Sequence, residues 1–225
     1  MRVFPESARV DKKIPKTKFY EKLGANQKLK NLFIQKVETI QWLYKLSPAQ
    51  LKIEKTPEIE EIHVFSIELR GDELPEEVLR QIDQAIPYPI LFVLKRAHEV
   101  CLRMGYKEVK PAVRIRGYFG LDWQPQEEVK WSFSLQGKST MEEVYEGMLR
   151  SLFSQVYPLY ISLAELIKWQ EQKKELEKQV ERLEAQVVRE KQFNKQVALN
   201  IELQKRQKEL AQWIAQIEEE DKWKN

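Results

Sequence analysis

The chain has 225 residues with a formal net charge of +3, and 42% of them are hydrophobic, enough for one sizeable core and an appendage. One cysteine and two histidines exclude an internal disulfide framework and the common zinc sites. The chain shows neither a signal-peptide core nor an apolar run of about 18 residues, so the composition predicts a soluble, cytoplasmic protein.

The first 50 residues predict a basic, helical segment. A short helix over residues 16–23 ends at Gly24, and Asn26 can cap a second helix. The apolar stripe of this second helix consists of Leu29, Leu32, Phe33, Val37, Ile40 and Leu43. Residues 1–58 hold 13 Lys or Arg against 6 Asp or Glu. Such a balance suits phosphates, although a solvated lysine surface is the commoner explanation.

The middle of the chain alternates strand and helix patterns. Strands are predicted over residues 51–54, 62–69, 90–94, 100–106, 113–119 and 129–135, and helices over 75–85 and from Ser139 or Thr140 to Phe153. Residues 62–69 are apolar on both faces, which indicates a central strand. The helix over residues 75–85 predicts a crossover between two parallel strands. The predicted fold class is α+β, with a small mixed sheet and flanking helices in residues 1–157.

Residues 158–225 predict a long helical, coiled-coil arm. From residue 159 onward this segment contains no glycine or proline, and it carries 13 basic and 13 acidic side chains. A 4-3-4 apolar seam is followed by a shifted series, so the arm is either one rod with a stutter or a hairpin that folds back around residues 189–194. The seam consists of Leu176, Val180, Leu183 and Val187, and the later series of Leu203, Leu210 and Ile217.

Two weak signals point to chemistry on nucleic acid. Glu68, Arg70 and Lys95 at strand ends resemble a degenerate magnesium-dependent nuclease, but arginine is a poor proton acceptor, and a surface ion pair explains Glu68 and Arg70 as well. Basic side chains beside aromatic strands also suit nucleic acid, because the cations can pair with phosphates and the rings can stack on bases. The candidate nucleic-acid-binding residues are Lys12, Lys13, Lys16, Lys18, Arg114 and Arg116. We predict no metal site and no cofactor.

Several separated segments resemble a bacterial family described as domain of unknown function 4391. They are residues 2–7 (RVFPES), 14–16 (IPK), 18–20 (KFY), 82–88 (IDQAIPY), 106–108 (YKE) and 190–195 (EKQFNK). Genes of this family tend to lie beside those of SNF2-like helicases and DNA methyltransferases, in restriction-modification or phage-defence loci. The resemblance therefore implies an accessory role in such a system and brings no catalytic residues.

The sequence as a whole favours a non-catalytic interaction protein. The expected partner, bound through the seam, is a second copy of the chain, a helicase or a methyltransferase. We expect Gln192, Phe193 and Asn194, which lie where the seam breaks, to take part in docking, with Gln192 and Asn194 setting the register through paired polar contacts. The alternative is a DNA-binding module or a degenerate metal-dependent nuclease.

Overall fold

The computed structural model of the chain describes residues 3–22, 24, 26–108, 114–153 and 160–222, except for the side chains of Lys22 and of residues 216–222. The chain divides into two compact units, residues 1–156 and 157–225. The first unit is built on a seven-stranded mixed sheet, which together with the helices confirms the predicted α+β class. Its strands are β1 (Arg9–Ile14), β2 (Val37–Leu46), β3 (Ile62–Leu69), β4 (Ile90–Arg96), β5 (Glu99–Glu108), β6 (Arg114–Gly120) and β7 (Gln124–Pro125).

The helices of the first unit lie between these strands. They are α1 (Thr17–Lys22), α2 (Gln27–Lys36), α3 (Pro48–Leu51), α4 (Glu76–Ala85) and α5 (Met141–Arg150). Asn26 caps α2 by accepting a hydrogen bond from the backbone N–H of Leu29 at 2.9 Å, as predicted. Thr140 caps α5 in the same way, through the backbone N–H of Glu143 at 3.2 Å.

The strands follow the order β1-β2-β3-β4-β5-β6, and β7 pairs with β5. Among the described strands, β3 and β4 are the one parallel pair, because α4 connects them as the crossover that the sequence predicts. β3 lies between β2 and β4 and spans the predicted residues, so its central position is confirmed. A tight turn at Ala97, whose φ is 43°, joins β4 to β5 in an antiparallel hairpin.

The prediction for the N-terminal segment is partly wrong. The helix expected to continue through Leu43 ends at Lys36, and residues 37–46 form β2, paired on both sides. This stretch contains Val37, Thr39, Ile40 and Trp42, which favour strands. Its backbone N–H and C=O groups form hydrogen bonds with β1 and β3 instead of the local hydrogen bonds of a helix. β1 was not predicted from the sequence, because four of its residues are charged and such an edge strand lacks the apolar pattern of a buried one.

Two predicted strands are also absent. Residues 51–54 contribute only one isolated bridge, between Glu54 and Thr140. Residues 129–135 form no strand; instead Trp131 stacks on Phe133, with ring centroids 4.9 Å apart, and Phe4 packs against both. The alternation of aromatic residues there serves packing rather than a backbone ladder.

The core of the first unit lies on the face of the sheet that α1, α2 and α4 cover. Buried residues of the strands and helices form one continuous cluster there, including Phe33, Ile40, Phe65, Ile67, Ile82 and Phe92. This burial supplies the main stabilisation of the sheet.

The second unit contains two long helices, α6 (Leu163–Arg189) and α7 (Phe193–Lys222). The chain folds back between them, so the two helices form a hairpin and not one rod. No helix in the described part of the chain is long and apolar enough to cross a membrane.

Candidate functional site: the helical hairpin

Local signals define where the two helices of the hairpin begin and end. Ser162 caps α6 in a complete capping box with Glu165, whose pKa is lowered chiefly by the hydrogen bond from the Ser162 hydroxyl. After α6 ends at Arg189, the carboxylate of Glu190 accepts a hydrogen bond from the backbone N–H of Gln192 at 2.8 Å. This contact closes the turn at residues 190–192.

Direct contacts show that α7 runs back along α6. The Gln196 amide donates to the carbonyl of Val187 at 3.2 Å, and Gln207 donates to the Glu184 carboxylate at 3.2 Å. Near the other end, the rings of Trp169 and Trp213 meet edge to face with centroids 6.4 Å apart. The two helices are therefore antiparallel over most of their length.

None of the predicted seam residues whose side chains are described is fully buried. Of the side chains described between residues 168 and 215, every one keeps part of its surface in contact with solvent. The half-buried seam residues are Leu176, Val180, Leu183, Val187, Leu203 and Leu210, and the side chain of Ile217 lies outside the described part. A pair of helices covers only one side of such a seam, so the hairpin carries an apolar core that it does not complete.

A second apolar surface lies on the outside of α7, and sequence reasoning recognised only its first member. Phe193, Val197 and Ile201 are 75%, 41% and 65% exposed, and Val188 at the end of α6 is 83% exposed. We call Phe193, Val197 and Ile201 the outer stripe. The i, i+4, i+8 spacing was the available signal, but the neighbouring seam spacing concealed it.

The other two residues predicted at the turn have separate positions. Both Gln192 and Asn194 are exposed, and the described part of the chain gives neither side chain a hydrogen-bond partner. The carbonyl of Gln192 accepts the backbone N–H of Gln196 at 2.9 Å, so Gln192 contributes to the start of α7 through its backbone. Their expected role in setting the register between chains stays a prediction.

Two of the family-like segments, residues 82–88 and 106–108, meet in a buried polar cluster in the first unit. Lys107 is 3% exposed, and its ammonium donates to the carbonyls of Asp83 and Ile86 at 2.5 Å and of Tyr88 at 2.9 Å. The Asp83 carboxylate lies 3.4 Å from the same ammonium and accepts from the Tyr118 hydroxyl. Lys107 thus neutralises the C-terminal end of α4.

Burial and charge pairing act against each other in this cluster. Burial raises the pKa of the Asp83 carboxyl to about 6, while the Lys107 charge opposes that rise. Burial lowers the pKa of Lys107, and Asp83 opposes that change. Because three carbonyls and a carboxylate surround the ammonium, we assign a charged pair at neutral pH. These polar contacts join β5 and β6 to α4 and to the segment that follows it.

Of the three candidate nuclease residues, the structure places Glu68 beside Lys95 and gives Arg70 other partners. Glu68 and Lys95 are register neighbours on β3 and β4, but Arg70 pairs with Glu38 at the start of β2 and donates to the Ile34 carbonyl of α2 at 3.1 Å. Lys95 lines a cavity of about 550 Å³ on the sheet face opposite the helix-covered core. Within the described residues, no group of three His, Cys, Asp or Glu side chains is arranged to hold a metal ion.

The candidate nucleic-acid-binding residues do not form one surface. Lys12 and Lys13 are exposed on β1 and Lys18 on α1, whereas Arg114 and Arg116 lie on β6, at the opposite edge of the sheet. Five strand spacings of about 4.8 Å separate these edges, roughly 24 Å. Lys16 donates to the carbonyls of Val37 at 2.7 Å and Phe33 at 3.4 Å, which neutralises the C-terminal end of α2.

Comparison with known proteins identifies the family and nothing more specific. No curated protein and no solved structure matches the chain significantly. Residues 3–210 match the family model described as Domain of unknown function (DUF4391). This match covers most of the chain, and the chain therefore belongs to that family.

Proposed function

We propose that this protein is a non-catalytic interaction protein whose helical hairpin binds another protein chain. The observation that carries the proposal is the incomplete burial of the hairpin. Two helices of 27 and 30 residues, about 40 and 45 Å long, leave every described side chain from residue 168 to 215 partly exposed.

The energetics of helix packing favour a further partner. Long helices in proteins gain most of their stability from burying an apolar face against other elements. Burying a leucine or valine side chain fully is worth about 1.5–3 kcal/mol, so each half-buried seam residue can gain on the order of 1 kcal/mol more. A chain that covers the open side of the seam, in coiled-coil fashion, recovers that energy.

The proposed setting is a DNA restriction or phage-defence system in the bacterial cytoplasm. The neighbourhood that the family resemblance implies supports this part of the proposal. It names an SNF2-like helicase or a DNA methyltransferase as the candidate partner, besides a second copy of the chain. In this setting the hairpin holds the accessory protein in a complex whose partner acts on DNA.

The test compares the full chain with a variant whose hairpin is shortened symmetrically. Residues 177–206 are replaced by a short Gly-Ser turn, which removes the outer stripe and the seam residues Val180, Leu183, Val187 and Leu203 but leaves the base of both helices. The control replaces only residues 190–192 with Gly-Ser-Gly. Light scattering gives the solution mass of each protein alone and mixed with an SNF2-like helicase or a DNA methyltransferase from the same organism.

We expect the full chain and the control to form a complex, and the shortened variant to form none. The physical reason is that only the shortened variant has lost most of the half-buried seam. A shortened variant that forms every complex of the full chain refutes the proposed function.

A further inference from the structure

The cavity that Lys95 lines in the first unit has the size and lining of a small-molecule site. Its volume of about 550 Å³ lies within the range of ligand pockets in proteins. Its floor consists of Val64, Val93 and Leu102, which come from three neighbouring strands, and the last two are direct register partners. The floor is therefore apolar and continuous.

Two β-bulges meet at one wall of this cavity. The register of β2 against β3 shifts between Trp42 and Tyr44, so Leu43 is the extra residue. The register of β1 against β2 shifts at the same level, between Arg9 and Lys12. Successive residues of a regular strand face opposite sides of the sheet, yet Leu43 and Tyr44 both line the cavity. The irregular backbone thus directs an additional side chain toward the cavity, as bulges do beside many active sites.

Aromatic side chains on the cavity wall are held in place by their neighbours. The Trp131 ring stacks on Phe133, and its indole N–H donates to the Ser151 hydroxyl at 2.7 Å. Phe4 contacts both Tyr44 and Trp131, with ring centroids 5.2 and 6.0 Å apart. Tyr44 and Trp131 are half-buried and line the cavity. Fixed, partly exposed rings of this kind suit the packing of a second aromatic ring.

The described charged side chains at the cavity differ in whether they are already paired. Arg9 pairs with Glu6 at 3.1 Å and with Asp11 at 2.9 Å. Glu127 is exposed to solvent. Lys95 is half-buried, and the described part of the chain gives its ammonium neither an ion pair nor a hydrogen bond. Lys95 is therefore the cation that a ligand can reach and pair with.

This arrangement of charge favours a ligand with one negative group. Among the described residues, the register neighbour Glu68 neither pairs with Lys95 nor lines the cavity. An ammonium that is partly removed from water gains from a carboxylate, which accepts a charge-assisted hydrogen bond. The carboxylate of Glu127 at the same cavity disfavours a second negative charge.

We propose that this cavity binds an aromatic monocarboxylate. The carboxylate pairs with Lys95, and the ring lies on the apolar floor beside Tyr44 and Trp131. This inference goes beyond the proposed function, because the site belongs to the first unit and uses no residue of the hairpin.

The first test measures binding of 2-naphthoate and of 2-naphthamide, which has the same ring and no charge. Isothermal titration calorimetry gives the dissociation constants for the full-length native chain, Lys95→Met and Lys12→Met. Lys12 is an exposed lysine of β1 outside the cavity lining, so its replacement is the matched control for the loss of one charge.

We expect the native chain and Lys12→Met to bind naphthoate equally, and Lys95→Met to bind it about tenfold more weakly, because one charge-assisted hydrogen bond is lost. Naphthamide should bind the native chain about as weakly as naphthoate binds Lys95→Met, and the lysine replacement should leave its affinity unchanged.

The second test locates the probe by NMR of methyl-labelled, full-length protein. Naphthoate should shift the methyl resonances of Val64, Val93 and Leu102. Val78 of α4 is the reference, because it is 0% exposed and belongs to the core on the other face of the sheet. The methyl spectrum of Lys95→Met also shows whether this variant keeps the native fold.

The results separate this inference from the proposed function. Absence of naphthoate binding at millimolar concentration, equal affinity of the native chain and Lys95→Met, or equal affinity for naphthoate and naphthamide overturns the site. Shifts at Val78 without shifts on the cavity floor also overturn it. None of these outcomes bears on the hairpin, and a shortened hairpin that still forms every complex refutes the proposed function without affecting this site.

Discussion

Replacing Lys107 with methionine should destabilise the first unit severely. The ammonium of Lys107 is the common donor to three backbone carbonyls at 2.5–2.9 Å and to the buried carboxylate of Asp83. Methionine has a similar length but donates nothing. Asp83, 1% exposed, then remains without its charge partner.

The expected loss follows from the cost of leaving a buried charge unpaired. Removing one partner of a buried ion pair typically costs about 3–5 kcal/mol. With a urea dependence of about 2 kcal/mol per molar, the unfolding midpoint should fall by roughly 2 M. A loss of that size is a large fraction of the 5–15 kcal/mol that stabilises a typical domain.

Urea titration combined with hydrogen exchange of the β3 and β4 amides measures this loss in the first unit alone. Lys45→Met is the matched control, because Lys45 also pairs with a carboxylate, that of Glu61 at 2.6 Å, but its side chain is 37% exposed. An exposed pair is worth about 1 kcal/mol at most, so the control should change the midpoint little.

A double variant tests the cause of the loss. Lys107→Met combined with Asp83→Asn removes the orphaned carboxylate and should recover part of the stability that Lys107→Met loses. If Lys107→Met costs less than about 1 kcal/mol, or if Asp83→Asn recovers nothing, the assignment of Lys107 as the partner of a buried charge is wrong.

Two further changes test the same unit. Gly120→Ala should destabilise the sheet by about 2–4 kcal/mol in urea titration, because a Cβ there would overlap the carbonyl oxygen of Leu102. Gly117→Ala is the control, because a Cβ at that position would have only ordinary contacts. Equal losses of stability in the two variants would contradict this steric argument. The Asp83 carboxyl has a pKa near 6 in the fold and 3.8 ordinarily, so its ionisation costs stability as the pH rises from about 4 to 6. The free energy of unfolding of the native chain, relative to that of Asp83→Asn, should therefore increase as the pH falls from 7 to 4. A difference that does not change with pH would show that the fold does not raise the pKa of Asp83.

Local signals were sufficient for several elements of the fold. The largely apolar character of both faces of residues 62–69 indicated a strand buried on both sides, and Pro75 with two glutamates indicated a helix start after it. Thr140 and Asn26 were recognisable caps. The break in the seam near Asn194 indicated that the tail departs from a single register, although it did not distinguish a stutter from a hairpin.

Other features depended on contacts that no local pattern contains. The stripe that includes Val37 and Ile40 fits a helix and a strand about equally, and only pairing with β1 and β3 decided for the strand. The same limit applies to Lys16 and Arg70. Both looked available for phosphate or metal chemistry, and both bind the carbonyls at the end of α2.

The sequence alone determined the α+β class, the central strand β3, the crossover through α4 and the long helical tail, because hydrophobic periodicity and capping residues act within a few turns of chain. The tertiary structure decided which residues meet across the chain: Lys107 with Asp83, the fold-back of α7 onto α6, and the outer position of Val197 and Ile201. These outcomes depend on the burial of groups distant in sequence, and a buried charge or an exposed apolar face is defined only once the whole backbone is in place.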